Sequence, residues 1–167
     1  MPCKPFVADY LRNKYGERIR IIGRGTELVH LKGLVQTGLF KVYHEGFTER
    51  YGARIAVEFP HLFIFRSGRV GIPSTACMDF NTFIRDQLAE GMNDWLDLIC
   101  QSFDYVEEDC ISTYLLSKGI SPDNMNMDTW KKIRLRHKQK QNGGLLKKKE
   151  SGQNVPQNVK MSFYGKT

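Results

Sequence analysis

The sequence predicts an α+β protein with a short N-terminal helix, an antiparallel β-meander of four to six strands, two to three C-terminal helices and a flexible basic tail. Short alternating apolar segments, punctuated by glycines, fill residues 18–72. Helical apolar spacing follows over residues 79–141, and residues 142–167 are polar and basic. A length of 167 residues favours one domain with an appendage. We therefore expect a compact domain over 1–141 and a tail over 142–167.

The first predicted element is a helix over residues 6–15, which Gly16 ends. Strict alternation of apolar and polar residues then indicates half-buried strands. The clearest of these segments are residues 18–21, 40–44 and 54–59. A further segment, 61–70, contains Gly68 at a turn position and predicts a tight hairpin.

Apolar residues recur at helical spacing from Phe80 to Ile99 and predict a helix over 79–100, with Asp79 as its N-cap. A second helix is expected over 105–118. Asp104 and Glu107 stand three residues apart at its start, as in a capping box, and Gly119 can supply a left-handed stop.

The last predicted helix begins at Met127 and runs to about Gln141. Ser121 and Pro122 form a separate helix-start signal just before it. Asn126 or Asp128 can cap the last helix. We expect the segment 142–144, Asn-Gly-Gly, to end it.

Charge is distributed in three blocks. Residues 1–75 carry 12 bases and 6 acids, residues 76–130 carry 2 bases and 11 acids, and residues 131–167 carry 11 bases and 1 acid. The balances of +6, −9 and +10 add up to the net charge of +7. A strongly basic segment beside an acidic one indicates either a polyanionic partner or charge complementarity within an assembly.

The basic segment begins as a helix whose apolar side, with Trp130, Ile133 and His137, can dock on the domain. Its many like charges weaken an isolated helix, so an anionic partner such as phosphate is expected to offset them. A solvated basic face is the alternative. The candidate phosphate contacts are Lys131, Lys132, Arg134, Arg136, Lys138, Lys140, Lys147, Lys148 and Lys149. Arginines of the predicted sheet extend this patch if they share its open face: Arg18, Arg20, Arg24, Arg54, Arg66 and Arg69.

Four carboxylates cluster at the start of the second C-terminal helix: Asp104, Glu107, Glu108 and Asp109. Successive side chains on a helix point in different directions, so few of them could converge on one metal ion. Negative charge at a helix N-terminus complements the macrodipole and explains the cluster without a ligand. The same carboxylates are candidate docking residues for a basic tail, either the chain's own or a neighbour's.

No pattern of a known catalytic site is present, so we expect no enzymatic activity, cofactor or metal. Gly23-Arg24-Gly25 lacks a third glycine and predicts a turn followed by a strand. His30, His44 and Glu58 could meet across a sheet, but their spacing does not require it. The four cysteines form no Cys-x-x-Cys pair and predict buried free thiols.

These features predict a small non-enzymatic nucleic-acid-binding protein that contacts the phosphate backbone of DNA or RNA through its basic C-terminal helix and tail. The alternative is a structural subunit of a larger viral or phage-like assembly, whose basic tail docks on the acidic helical face of a neighbour. Neither a secretory leader nor an apolar run of bilayer length is evident. We therefore expect no membrane partner and a cytoplasmic location, or a place within a virion for the assembly.

Overall fold

The structure is a computed structural model, and it describes residues 1–37, 51–60, 70–100 and 106–151. Most of these residues are helical. The five helices in this part of the chain are α1 (Pro5–Tyr15), α2 (Thr26–Gly33), α3 (Ser74–Cys100), α4 (Glu107–Ser117) and α5 (Met127–Ser151). One turn of 3-10 helix, Pro122–Asn124, precedes α5. The predicted class, with a four-to-six-strand antiparallel meander at its centre, is therefore wrong.

Six very short strands form three separate two-stranded pairs within the described ranges. The strands are β1 (Pro2–Cys3), β2 (Arg18–Arg20), β3 (Gln36–Thr37), β4 (Ala53–Arg54), β5 (Ala56–Glu58) and β6 (Val70–Gly71). β1 pairs with β4 and β3 with β6 in antiparallel orientation, whereas β2 and β5 run parallel. The predicted strand at 18–21 is present as β2, whereas the predicted strand at 54–59 is divided into β4 and β5, which belong to different pairs, so these segments do not form a meander. The predicted strand at 40–44 and most of the hairpin, 61–69, lie outside the described residues.

The clearest local error concerns the residues after Gly25, which were predicted to form a strand and instead form helix α2. Leu28 and Leu31 are buried three residues apart, whereas Val29 between them is 57% exposed. That is the burial pattern of a helix, since side chains three apart share one face. Flanking glycines and a single short turn of apolar residues hid this pattern in the sequence.

Helix α3 is the central element of the core. Phe80, Ile84, Met92 and Leu96 are completely buried along one side of it, at the helical spacing that the sequence predicted. Buried Asn81 fastens the N-terminus to this helix, because its Oδ1 accepts a hydrogen bond from the Lys4 amide at 2.8 Å. The helix starts at Ser74 and not at the predicted Asp79. The carbonyl oxygen of Pro73, the residue before it, accepts a hydrogen bond from the Cys77 amide and so closes the first helical turn.

The ends of the last two helices were predicted with mixed success. Helix α4 has Val106 as its N-cap, so the predicted capping box at Asp104 is wrong. Gly119, with a φ of 77°, ends α4 as predicted, and the side chain of Asn126 accepts the Thr129 amide at 3.1 Å at the start of α5.

The segment 142–144 does not end α5 as predicted; the helix continues to Ser151. Glycine inside a helix is unfavourable by about 1 kcal/mol but does not by itself force a stop. Across the described ranges, every helix is too short or too polar to cross a bilayer.

Candidate nucleic-acid interface

One side of α5 is anchored in the core, as its apolar spacing predicted. Trp130 is 2% exposed and its ring meets Phe6 of α1 edge to face, with ring centroids 5.7 Å apart. Ile133, one turn further along, is partly buried against the same core. The basic segment is therefore an integral part of the fold up to at least this point, not an appendage.

Arg134, one of the predicted phosphate contacts, is buried between helices α3, α4 and α5. Its guanidinium lies 2.6 Å from Asp97 Oδ1 and donates to Glu107 Oε1 at 2.7 Å. A longer contact of 3.4 Å reaches Asn93 Oδ1. Only 4% of the residue is exposed, so its charge is used inside the protein. Burying an arginine requires compensating carboxylates, and α3 and α4 each supply one.

Two further cations of α5 pair with the acidic start of α4. Lys138 Nζ lies 2.7 Å from Glu107 Oε2, and Lys131 Nζ lies 2.6 Å from Glu108 Oε2. Two of the four predicted docking carboxylates are therefore occupied by the chain's own basic helix. Asp109 is exposed, and Asp104 lies outside the described residues.

The carboxylates of this network are held ionised. Burial opposes their charge, but hydrogen bonds from Arg134, Gln141 and His137 outweigh it and leave the pKa of Asp97 below its ordinary value. Burial likewise opposes ionisation of Glu107, and hydrogen bonds from Lys138 and Arg134 lower its pKa overall. The three helices are thus joined by ionic contacts that persist at neutral pH.

Three further cations of α5 face a groove between α3 and α5 with a volume of about 430 Å³. Lys132, Arg136 and Lys140 line it at four-residue spacing, and all three are exposed. None of them forms an ion pair with a residue in the described ranges. Arg85 of α3 lines the opposite wall and bonds its neighbour Asp86 at 2.7 Å. Four cations against one carboxylate give this groove, called here the α5 groove, a formal charge of +3.

The other predicted basic residues are dispersed. Lys147, Lys148 and Lys149 belong to the last turns of α5. Arg18 and Arg20 both bond Glu58, at 3.1 and 3.0 Å, so they do not form an open cationic patch. Arg24 and Arg54 are exposed on other elements. Arg66 and Arg69 lie outside the described residues.

A second polar cluster surrounds Glu27, which the sequence did not single out. This side chain is 3% exposed and accepts hydrogen bonds from Tyr10 at 2.6 Å, Lys14 at 2.5 Å and Tyr15 at 2.9 Å. Burial opposes its charge, yet these donors lower its pKa to about 2. All the donors come from α1, so the cluster fixes α2 onto α1 and has a structural role.

The catalytic grouping considered for the sheet is not assembled at the described positions. The His30 ring stacks on Phe83 with centroids 4.0 Å apart, and Glu58 is engaged by the two arginines of β2. His44 lies outside the described residues. Cys3, Cys77 and Cys110 are buried thiols. In the part of the chain that can be searched, no group of three or more His, Cys, Asp or Glu side chains could hold a metal ion.

The α3 residues that face α5 were not singled out in the sequence, because the prediction of this helix used only its apolar positions. Arg85, Asn93 and Asp97 lie between those positions. They share one stripe at four-residue spacing with Ala89, which is the signal that could have identified a second contact face of this helix. A helix covered on two sides shows a wider apolar stripe interrupted by such polar partners.

No protein-family model, curated protein or solved structure matches this chain.

Proposed function

We propose that the protein binds nucleic acid through the α5 groove and contacts the phosphate backbone without reading bases. The observation that carries the proposal is the division of α5 into two sides. Lys131, Arg134 and Lys138 are paired with the chain's own carboxylates, whereas Lys132, Arg136 and Lys140 are exposed and unpaired within the described ranges.

Unpaired cations in a row are a ready source of phosphate contacts. Each phosphate that a lysine or arginine neutralises releases condensed counterions, which drives binding at low salt. Arg134 drops out of the candidate set, because its guanidinium is buried and saturated. Lys147, Lys148 and Lys149 belong to the same helix and stay in the proposed set of phosphate contacts. A site with this composition positions a backbone and carries little sequence information.

The assembly alternative loses part of its support. It requires acidic side chains that are free to receive a neighbour's basic tail, and Glu107 and Glu108 already hold cations of the same chain. A docking surface whose charges are satisfied internally offers little electrostatic attraction to a second copy. The two proposals make opposite predictions for a mixture of the monomeric protein and DNA. Nucleic-acid binding predicts that the monomer binds DNA, whereas the assembly proposal predicts that it does not.

The test is fluorescence anisotropy of a labelled random-sequence DNA duplex titrated with two double variants of equal charge. Lys132→Gln with Arg136→Gln removes two groove cations, and Lys131→Gln with Lys138→Gln removes two paired cations of the same helix. At 0.1 M salt each lost phosphate contact weakens binding about 8-fold, so the groove variant is expected to bind about 60-fold more weakly. The control is expected to stay within about threefold of the wild type.

Equal losses in both variants would show that only the overall charge matters and would contradict the proposed site. Circular dichroism and a urea transition confirm that each variant is folded. Lys132 and Arg136 are exposed and make no ion pair in the described ranges, so the groove variant should unfold at the wild-type urea concentration.

A further inference from the structure

The described lining of the α5 groove offers charge and little surface on which bases could stack. It contains no phenylalanine, tyrosine or tryptophan, and its apolar residues are Ala89 and Ile133. The one ring present, His137, lies 3.2 Å from Asp97 Oδ2 and within 2.8 Å of the Gln141 amide. Both contacts are made at the Nε2 edge of the imidazole, which leaves His137 as the single small ring in this lining.

Single-stranded nucleic acid is usually held by a different combination of groups. Proteins that bind it pair a basic track with aromatic side chains, and each stacked base is worth about 1–3 kcal/mol. A site with a single small ring in its described lining relies mainly on phosphate contacts. Phosphate contacts favour the duplex, which carries one charge per about 1.7 Å against about 3.4 Å for one strand.

We propose that the partner of the α5 groove is a nucleic-acid duplex and not a single strand; this inference rests on the proposed function. Three of the cations that line the groove are unpaired within the described ranges, Lys132, Arg136 and Lys140, whereas Arg85 is engaged by Asp86. If each of the three contacts one phosphate, the different counterion release of the two forms, about 0.9 and 0.7 per contact, gives about a fourfold preference for the duplex at 0.1 M salt.

The cations of the groove also define a contact length. Lys132 and Lys140 are 8 residues apart on α5, which corresponds to about 12 Å along a helix axis. At about 3.4 Å per base pair, this length matches roughly 4 base pairs of duplex. The opposite side of α5 is occupied by the ion pairs to Glu107 and Glu108, so one protein molecule presents one face to the duplex.

The experiment compares a DNA duplex with its separated strands by fluorescence anisotropy, using the full chain at 0.1 M salt. We expect the duplex to bind about fourfold more tightly than either strand. The variant Lys132→Gln with Arg136→Gln should lose most of its duplex affinity.

The outcomes separate the two proposals. A single strand that binds as tightly as the duplex, or more tightly, would overturn the duplex inference and leave the proposed function intact. If the groove variant bound the duplex with wild-type affinity and kept the preference for it, the duplex would bind elsewhere on the protein. That result would also overturn the duplex inference. If neither form binds the wild type at low salt, both proposals fail.

Discussion

Replacing Arg134 by methionine tests whether the basic helix is held by a buried ionic contact. Methionine keeps much of the apolar stem while removing the charge. Removing one partner of a fully buried ion pair is destabilising by about 3–5 kcal/mol, because the remaining charge loses its compensation. Here the carboxylates of Asp97 and Glu107 retain 28% and 35% exposure. Each also keeps another donor. We therefore expect a loss of about 2–3 kcal/mol.

The matched control is Lys131→Met, which breaks an exposed ion pair on the same helix. The side chains of Lys131 and Glu108 are 43% and 53% exposed, so this pair is worth less than about 1 kcal/mol. Urea unfolding followed by tryptophan fluorescence measures both variants, since Trp130 lies one turn away from Arg134. If the free energy of unfolding of the Arg134 variant lies within about 0.5 kcal/mol of the wild-type value, the ionic contacts of Arg134 do not hold the three helices together.

The same variant makes a prediction about pH. The pKa values of Asp97 and Glu107 in the folded protein lie below their ordinary values of 3.8 and 4.5. The contribution of these two carboxylates to the stability of the fold is thus complete above their ordinary pKa values, and it is lost as the pH falls through their pKa values in the folded protein. Removing Arg134 makes these pKa values less depressed, so the difference in unfolding free energy between variant and wild type should narrow as the pH falls below 4.5, the ordinary pKa of a glutamate. A difference that stays constant as the pH falls below this value would contradict the ionic explanation.

Three further predictions concern other parts of the fold. Glu27→Gln should lower the free energy of unfolding by about 2 kcal/mol at pH 7, since it removes a buried charged acceptor; thermal unfolding should show this difference shrinking as the pH falls from about 4.5 towards the Glu27 pKa of about 2. Gly119→Ala should destabilise the fold by about 1–2 kcal/mol in a urea transition, because Gly119 has a φ of 77° and a Cβ would lie 2.4 Å from the Asn13 side chain. Gly33→Ala should leave the stability unchanged, because there is open space around Gly33. A chain ending at Gln141 should still unfold cooperatively in urea, with its helical circular dichroism signal reduced by no more than the lost part of α5, residues 142–151. A chain ending at Thr129 should not fold, since it lacks buried Trp130 and Arg134.

The parts of the fold that were predictable are those where one helix face repeats over several turns. Phe80, Ile84, Leu88 and Met92 identify α3, and Trp130 with Ile133 identifies the docking side of α5. Helix α2 escaped prediction because it has only eight residues and lies among glycines, so its period appears once or twice. The parallel β2–β5 pair is likewise a tertiary contact between residues about 40 apart, which local alternation cannot specify.

The candidate interface shows the same limit. Composition identified α5 as the charged element, but it could not separate Arg134 from Arg136, which are two residues apart and have opposite environments. That separation depends on Asp97 and Glu107, which lie 37 and 27 positions earlier in the chain and meet only after three helices have packed. A buried charged side chain is recognised by the protein groups that pair with it. A candidate phosphate contact is recognised because it has no such partner within the described residues.

The most direct test of the two-sided α5 helix is the salt dependence of duplex binding in the two double variants. Plots of log affinity against log salt concentration count the phosphates that the protein neutralises, at about 0.9 per contact. The slope of the Lys132→Gln with Arg136→Gln variant is predicted to be smaller in magnitude by about 2, and that of the Lys131→Gln with Lys138→Gln variant to equal the wild type. The account would be contradicted if the groove variant kept the wild-type slope while the variant of the paired lysines lost it.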